Sequence, residues 1–224
     1  MTQIERALAD ASSVINVGAG AGAYEPMERR VVAVEPSEVM IAQRLGDRAP
    51  VVRAVAEALP AADQSFDAAL ATFSVHHWTD PGRGLREMRR VARRQVVLTF
   101  DQDDQWLDQF WLTRDYFPQE HFRGALFSGL EQVLEELEPA QVEVVPVPSD
   151  CRDGFFCAYW RRPEAYLDPS VRASISALAL LDDKLLSSGL HQLEEDLRSG
   201  AWAERNQALL TLDTYDYGYR LVIA

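Results

Sequence analysis

The sequence predicts an α/β fold: a doubly wound, mostly parallel sheet of seven strands whose last strand runs antiparallel, plus a helical insertion. Three observations predict it. Short apolar runs alternate with helical patterns through the first hundred residues, the rhythm of βαβ units. A glycine-rich turn follows the first of those runs directly. The chain then closes on an apolar run after a long helical excursion, which fits a final strand inserted against the direction of the others.

Each element has its own signal. SVINV, Ser13 to Val17, reads as the first strand and runs straight into GAGAGA. VVAV, Val31 to Val34, is the second, and Ser37 is placed to cap the helix SEVMIAQRL. Pro50 to Ala54 gives a short third strand, FDAALATF (Phe66 to Phe73) the fourth and QVVLTF (Gln95 to Phe100) the fifth. The helix between the last two, Pro81 to Ala92, opens with proline in its first turn, where the missing N–H costs nothing. QVEVVPV, Gln141 to Val147, reads as a sixth strand, a mostly helical stretch covers Pro163 to Leu210, and YRLVIA, Tyr219 to Ala224, closes the sheet.

Composition narrows the function. With 224 residues, 47% hydrophobic and 25% charged, the chain suits one sizeable core. A net charge of −13 is the wrong sign for a protein living on phosphate contacts, and the dense basic run Arg83 to Arg94 has the spacing of a solvated helix face. Nucleic acid is therefore not expected as a partner. No apolar run approaches the length of a membrane helix, and MTQIERALAD lacks the basic and apolar regions of a signal peptide, so a cytoplasmic protein is expected. Cys151 and Cys157 are grouped with no other ligands at metal-site spacing, so reduced thiols and no metal are expected.

The chemistry concentrates after the strands. Gly18, Gly20 and Ala23 satisfy G-x-G-x-x-[GA], a turn whose backbone can approach a ligand closely. Glu35 ends the second strand, 17 residues past Gly18, where a carboxylate can accept hydrogen bonds from ribose hydroxyls. His76 and His77 follow the fourth strand at the edge where such sheets bind ligands. Either could take a proton at neutral pH, or one could pack beneath a cofactor while the other caps a loop beside Trp78. Asp101, just past the fifth strand, is a further candidate base or a cap for DQWLDQF. Over half of the aromatic residues fall between Trp106 and Tyr166, where they would either line an apolar acceptor pocket or build the core of a helical insertion.

Taken in order, VGAGAGAYE, VVAVEPSEVM, AEALP, SFDAALATFSVHHW and LREMRRVARR resemble the class I S-adenosylmethionine-dependent methyltransferases of the small-molecule kind, related to those of ubiquinone and menaquinone biosynthesis. The resemblance spans residues 13–100. It implies a Rossmann-like fold, S-adenosyl-L-methionine as cofactor, and a single methyltransferase domain over 1–224 with a cofactor-binding half at 13–100 and a substrate or lid half at 101–210. By that resemblance Gly18, Ala19 and Gly20 would pass beneath the methionine part of the cofactor, with Tyr24 beside them. Glu35 would hold the ribose, Pro36 and Met40 would flank the adenine, and Val55, Ala56 and Glu57 would surround its other edge. The backbone of Phe73 and Ser74 would lie near the sulfonium. The chain departs from the family pattern at Asn16, where many members carry an acid, and at Val55, a place often held by aspartate. About a dozen residues precede the first strand, fewer than is usual. Either the chain is shortened or residues 101–166 supply the cover, and a bare site invites a homodimer.

The expected reaction is methyl transfer to a small-molecule acceptor, apolar or aromatic, driven mainly by alignment. A rival reading is a non-catalytic protein that binds S-adenosylmethionine or S-adenosylhomocysteine. A nicotinamide-dependent oxidoreductase is disfavoured by the AEALP and SFDAALATFSVHHW segments and by the lack of a Tyr-x-x-x-Lys pair, since Lys184 is the only lysine.

Overall fold

A computed structural model describes residues 2–101, 106–119, 122, 130–179 and 181–224. In chain order the helices and strands are α1 (Thr2–Ala7), β1 (Ser13–Val17), β2 (Arg30–Val34), α2 (Glu38–Ala42), β3 (Val51–Val52), β4 (Phe66–Thr72), α3 (Pro81–Val91) and β5 (Ala92–Phe100). Then come α4 (Trp106–Gln109), α5 (Trp111–Asp115), α6 (Leu130–Leu137), β6 (Gln141–Val144), β7 (Val147–Pro148), α7 (Pro169–Ala173) and α8 (Ser176–Ala179). The chain ends with α9 (Asp183–Ser199), α10 (Ala201–Arg205), β8 (Thr214–Tyr215) and β9 (Tyr219–Ile223). They divide into two compact units, one of Met1–Asp101, Ser128–Val145 and Tyr219–Ala224, the other of Gln102–Phe127 and Pro146–Gly218.

The first unit is built on a seven-stranded sheet of order β3-β2-β1-β4-β5-β9-β6, in which β9 runs antiparallel to both of its neighbours. The expected architecture is therefore present, antiparallel final strand included. β1 is buried at all five positions, as a strand covered on both faces must be, and its register sets Val14 against Val31 on one side and Ala68 on the other. Alternate side chains feed two cores. Ile15, Val17, Ala69, Ala71 and Val97 pack with Leu85, Met88 and Val91 of α3 and Val133 and Leu137 of α6. Val14, Leu70, Val96 and Leu98 meet Ile4 and Ala7 of α1 and Leu8 just beyond it on the opposite face.

The strand order fixes where a ligand can sit. From β1 the chain moves outward to β3, then returns to β4 on β1's other side. The connections after β1 and β4 diverge, leaving a crevice at the carboxyl ends of those two strands. α3 begins there, with Pro81 at its start and the Asp80 carboxylate accepting from the Arg83 N–H at 2.9 Å. Two of its arginines are paired within the unit: Arg86 with Glu136, and Arg90 with Glu87 and Asp63.

Several expected boundaries move: the third strand, expected over Pro50 to Ala54, keeps only Val51–Val52, and the helix expected over 37–45 keeps only Glu38–Ala42. β5 starts at Ala92, three residues early, because Phe66 and Ala92 pair in the parallel ladder. The sixth strand stops at Val144; the chain then leaves the sheet through Pro146, which has no N–H to offer a ladder, and Val147–Pro148 pair instead with β8.

The second unit carries the dense aromatic stretch as a packed core. Phe110, Trp111, Trp160, Tyr166 and Tyr217 are fully buried, and Phe110 meets Phe156, Tyr166 and Tyr217 edge to face. Their polar handles find backbone acceptors: Trp111 Nε1 donates to the Trp160 carbonyl at 2.7 Å and Tyr166 Oη to that of Phe156 at 2.8 Å. Among the described residues no helix is long and apolar enough to cross a membrane.

Candidate functional site

All five strands from β1 to β5 run in one direction, so the segments that follow them gather at one edge of the sheet. Gly18 follows β1, Glu35 follows β2, Val55 lies three residues past β3, Phe73 follows β4 and Asp101 follows β5. The sequence-predicted residues of the first unit thus share an edge because the topology puts them there.

The glycine loop is fixed by close contact. The N–H groups of Gly18 and Ala19 both donate to the Val34 carbonyl, at 2.8 and 3.1 Å. Gly18 has φ +68°, and a Cβ there would stand 2.5 Å from Ser74 Cβ. Ser74 is itself anchored, its Oγ donating to the Val17 carbonyl at 2.9 Å. Gly20, at φ +51°, lies under Met40, whose Cε would be 3.2 Å from an added Cβ. Gly18 has no room for a side chain, and at Gly20 the left-handed backbone favours glycine.

Glu35 is 7% exposed and carries its charge on backbone donors. The Gly20 N–H reaches Oε2 at 2.8 Å and the Ser37 N–H reaches Oε1 at 2.9 Å. Each carboxylate oxygen keeps a second lone pair, so the acid is held in place while still able to accept from a ligand. Asn16 lies one residue before the end of β1, 1% exposed, and its Oδ1 has no hydrogen-bond partner among the described residues. A buried acceptor left without a donor costs stability, and here it stands beside a loop shaped for a ligand.

Phe73 adopts φ +51°, a left-handed conformation that a bulky side chain rarely takes. Its N–H is held by the Leu98 carbonyl at 2.9 Å and its ring by three others. Tyr24 and Tyr219 meet it edge to face at 5.8 and 5.4 Å between centroids, and Phe100 stacks at 6.5 Å. His76 joins this wall 4.9 Å from Phe100, with His77 3.9 Å from it. Burial, together with the neighbouring His77, pushes the His76 pKa down to about 4, so this imidazole is neutral at pH 7 and a poor proton acceptor. The His77 pKa is also lowered by burial, with the Glu35 charge pulling the other way.

The remaining predicted residues are more loosely placed. Val55 and Pro36 are exposed and Ala56 is buried. Glu57 turns one oxygen to the Asp80 N–H at 3.0 Å, which ties the segment after β3 to the start of α3. Asp101 is half exposed, 3.9 Å from Arg220 Nε. Its alternative role as a cap falls on residues 102–105, outside the described residues. Among the described residues no cluster of histidine, cysteine and carboxylate groups could hold a metal. Sequence reasoning missed Arg44 and Glu25, which form a buried pair behind the glycine loop. Two charges 19 residues apart carry no spacing signal.

A family model described as a methyltransferase domain matches residues 15–100. Among curated proteins, the uncharacterized methyltransferase YcgJ of Bacillus subtilis is 30% identical over 112 residues, covering 43% of this chain and 44% of that protein. The ubiquinone/menaquinone biosynthesis C-methyltransferase UbiE of Hahella chejuensis is 47% identical over 58 residues, 25% of this chain and 23% of its own length. The matches thus span less than half the length of these curated relatives. A solved structure from Anabaena variabilis, a proposed methyltransferase of an antibiotic biosynthesis pathway, is matched nearly end to end. It is 30% identical, with 95% of this chain and 90% of that one covered and a TM-score of 0.80.

The cofactor of such proteins, S-adenosylmethionine, fits the residues present. A sulfonium nucleoside needs an acceptor for its ribose hydroxyls, a backbone it can approach closely and an acceptor for its ammonium group. Glu35, the Gly18–Gly20 loop and the unpartnered Asn16 Oδ1 have those chemistries. The chain belongs to the class I S-adenosylmethionine-dependent methyltransferases.

Proposed function

We propose that the chain transfers a methyl group from S-adenosylmethionine to a small, apolar or aromatic organic acceptor in the cytoplasm. The observation that carries the acceptor class is the wall of Tyr24, Phe73, Phe100, Tyr219 and His76 at the sheet edge that also carries the glycine loop and Glu35. Tyr24, Phe73 and His76 keep part of their surface exposed over the buried Phe100 and Tyr219; such a surface suits an apolar ligand, and the imidazole adds no charge at pH 7.

The bound cofactor supplies an electrophilic methyl group on a good leaving group. Glu35 would hold the ribose, the Gly18–Gly20 backbone would lie beneath the methionine part, Asn16 would accept from its ammonium group, and Met40 and Pro36 would flank the adenine. The residues around the acceptor then act mainly by alignment and by excluding water, and orientation alone is worth up to about 7–11 kcal/mol. The low pKa of His76 leaves it little affinity for a proton released by the acceptor.

The test is calorimetric titration with S-adenosylmethionine, S-adenosylhomocysteine and NAD in parallel, followed by a screen of neutral aromatic and of anionic acceptors for S-adenosylhomocysteine release. Binding of the first two, lost in Glu35→Ala, with turnover confined to neutral acceptors, is expected. Binding of NAD alone would sink the cofactor reading, and turnover on anionic acceptors alone would sink the acceptor class.

A further inference from the structure

Behind the glycine loop lies an ion pair that the cofactor reading does not use. The Arg44 and Glu25 side chains are 5% and 2% exposed and bonded to each other. Arg44 Nη1 also donates to the Gly20 carbonyl at 3.0 Å, and Nη2 to the Ala49 carbonyl at 3.0 Å. Glu25 Oε2 accepts from the Ala49 N–H at 2.9 Å. One guanidinium therefore holds three oxygens from three separate stretches of chain: the glycine loop, the segment leading to β3, and the segment between the loop and β2.

A buried ion pair is weak evidence for stability, because desolvating two charges offsets most of their attraction. What this pair does supply is geometry. The Gly20 residue is held on both sides, its N–H by Glu35 and its C=O by Arg44. A planar fork with fixed donor directions can set that position; a flexible ammonium cannot reach all three acceptors at once. If the carbonyl is released, the φ +51° turn can relax, the Gly20 N–H moves off Oε2, and Glu35 loses one of its two backbone donors.

We propose that Arg44, held by Glu25, is a positioning residue for the nucleoside part of the cofactor: it sets the Gly20 peptides and, through them, the orientation of the Glu35 carboxylate. The role rests on the reading of this loop as the S-adenosylmethionine cradle. Arg44 touches no part of the ligand in this scheme.

The experiment uses the full chain and two readouts, the affinity for S-adenosylhomocysteine by calorimetry and hydrogen exchange at the Gly20 amide by NMR. Arg44→Lys keeps the charge opposite Glu25 but loses the fork. Affinity is expected to fall tenfold or more, about the loss of one hydrogen bond to a charged group, with faster Gly20 exchange. Arg90→Lys is the control, because Arg90 is equally networked, to Glu87, Asp63 and the Leu59 and Ala61 carbonyls, but remote from the loop. It is expected to leave Gly20 exchange and affinity alone even if it lowers the melting temperature. Should Arg44→Lys not fold, the double variant Arg44→Met/Glu25→Gln removes both charges and gives the same two readouts. Folded variants with unchanged affinity and unchanged Gly20 protection would overturn the proposal. A wild-type chain that binds no S-adenosylhomocysteine overturns the cofactor reading and with it the purpose assigned to Arg44; the Gly20 amide separately reports whether Arg44 sets that turn.

Discussion

Ser74 stands so close to Gly18 that the two residues leave no room for one more carbon between the ends of β1 and β4. The first expectation follows directly. Gly18→Ala must accommodate a side chain at φ +68°, which costs about 1–2 kcal/mol for the backbone alone, and must also displace Ser74. Its melting temperature should fall and S-adenosylhomocysteine binding should be lost. In Gly18→Ala/Ser74→Gly the steric part is relieved and the backbone part stays, so a partial recovery of the melting temperature is expected. No recovery would mean that Ser74 is not the obstacle.

His76 makes stability depend on pH in an unusual direction for a partnered histidine. Its folded pKa is about 4 against 6.5 for the free side chain, so between those values the unfolded chain takes up a proton that the folded one refuses. Stability is complete above about pH 6.5 and declines as pH falls towards 4. His77 is shifted in the same direction and adds to the slope. Melting temperatures measured from pH 4 to 7 should flatten in His76→Phe; a slope identical to wild type would show that the ring is not desolvated.

Asp67 works in the more common sense. Its carboxylate accepts from the hydroxyls and N–H groups of Ser12 and Ser13, which lowers its pKa to about 2. The stabilisation is present above the ordinary carboxylate value of 3.8 and is lost as pH falls through about 2. Asp67→Ala should therefore melt lower than wild type at pH 7, the gap closing in acid. A gap that persists at pH 2 would assign the loss to packing instead.

Tyr217 is fully buried in the aromatic core of the second unit with its hydroxyl unpartnered among the described residues, and burial raises its pKa. An unpaired buried hydroxyl is a cost that phenylalanine removes without changing shape. Tyr217→Phe should leave the melting temperature unchanged or raise it. A fall of several degrees would reveal a partner for the hydroxyl.

Much of the first unit is legible in the sequence because its signals are local. A fully apolar run followed by glycine marks β1 and its loop, and Glu35 is found by counting from Gly18. The failures are of contact rather than of pattern. Nothing near Phe73 announces a left-handed bulky residue, since that conformation is imposed by Leu98 on a neighbouring strand and by rings from the loop after β1 and from β9. Arg44 sits at the end of the helix expected over 37–45, yet α2 is a single turn and its arginine turns inward to Glu25. The aromatic stretch was open to two readings because rings that line a cavity and rings that fill a core have the same composition; packing alone separates them.

The placement of β9 has a kinetic consequence. Among the described residues β6 pairs with no strand of the large sheet except β9, so residues 141–144 have no ladder to join until residues 219–223 have been made. The half of the sheet that holds the glycine loop can assemble from contacts closer along the chain, through β1 to β5. The far edge waits for a strand that must slot between β5 and β6, closing a long loop before any bond forms. Folding of this chain should therefore show a slow phase seen at β6 and β9 and not at β1, and an exposed β5 edge should be the species most prone to mispairing while synthesis is under way.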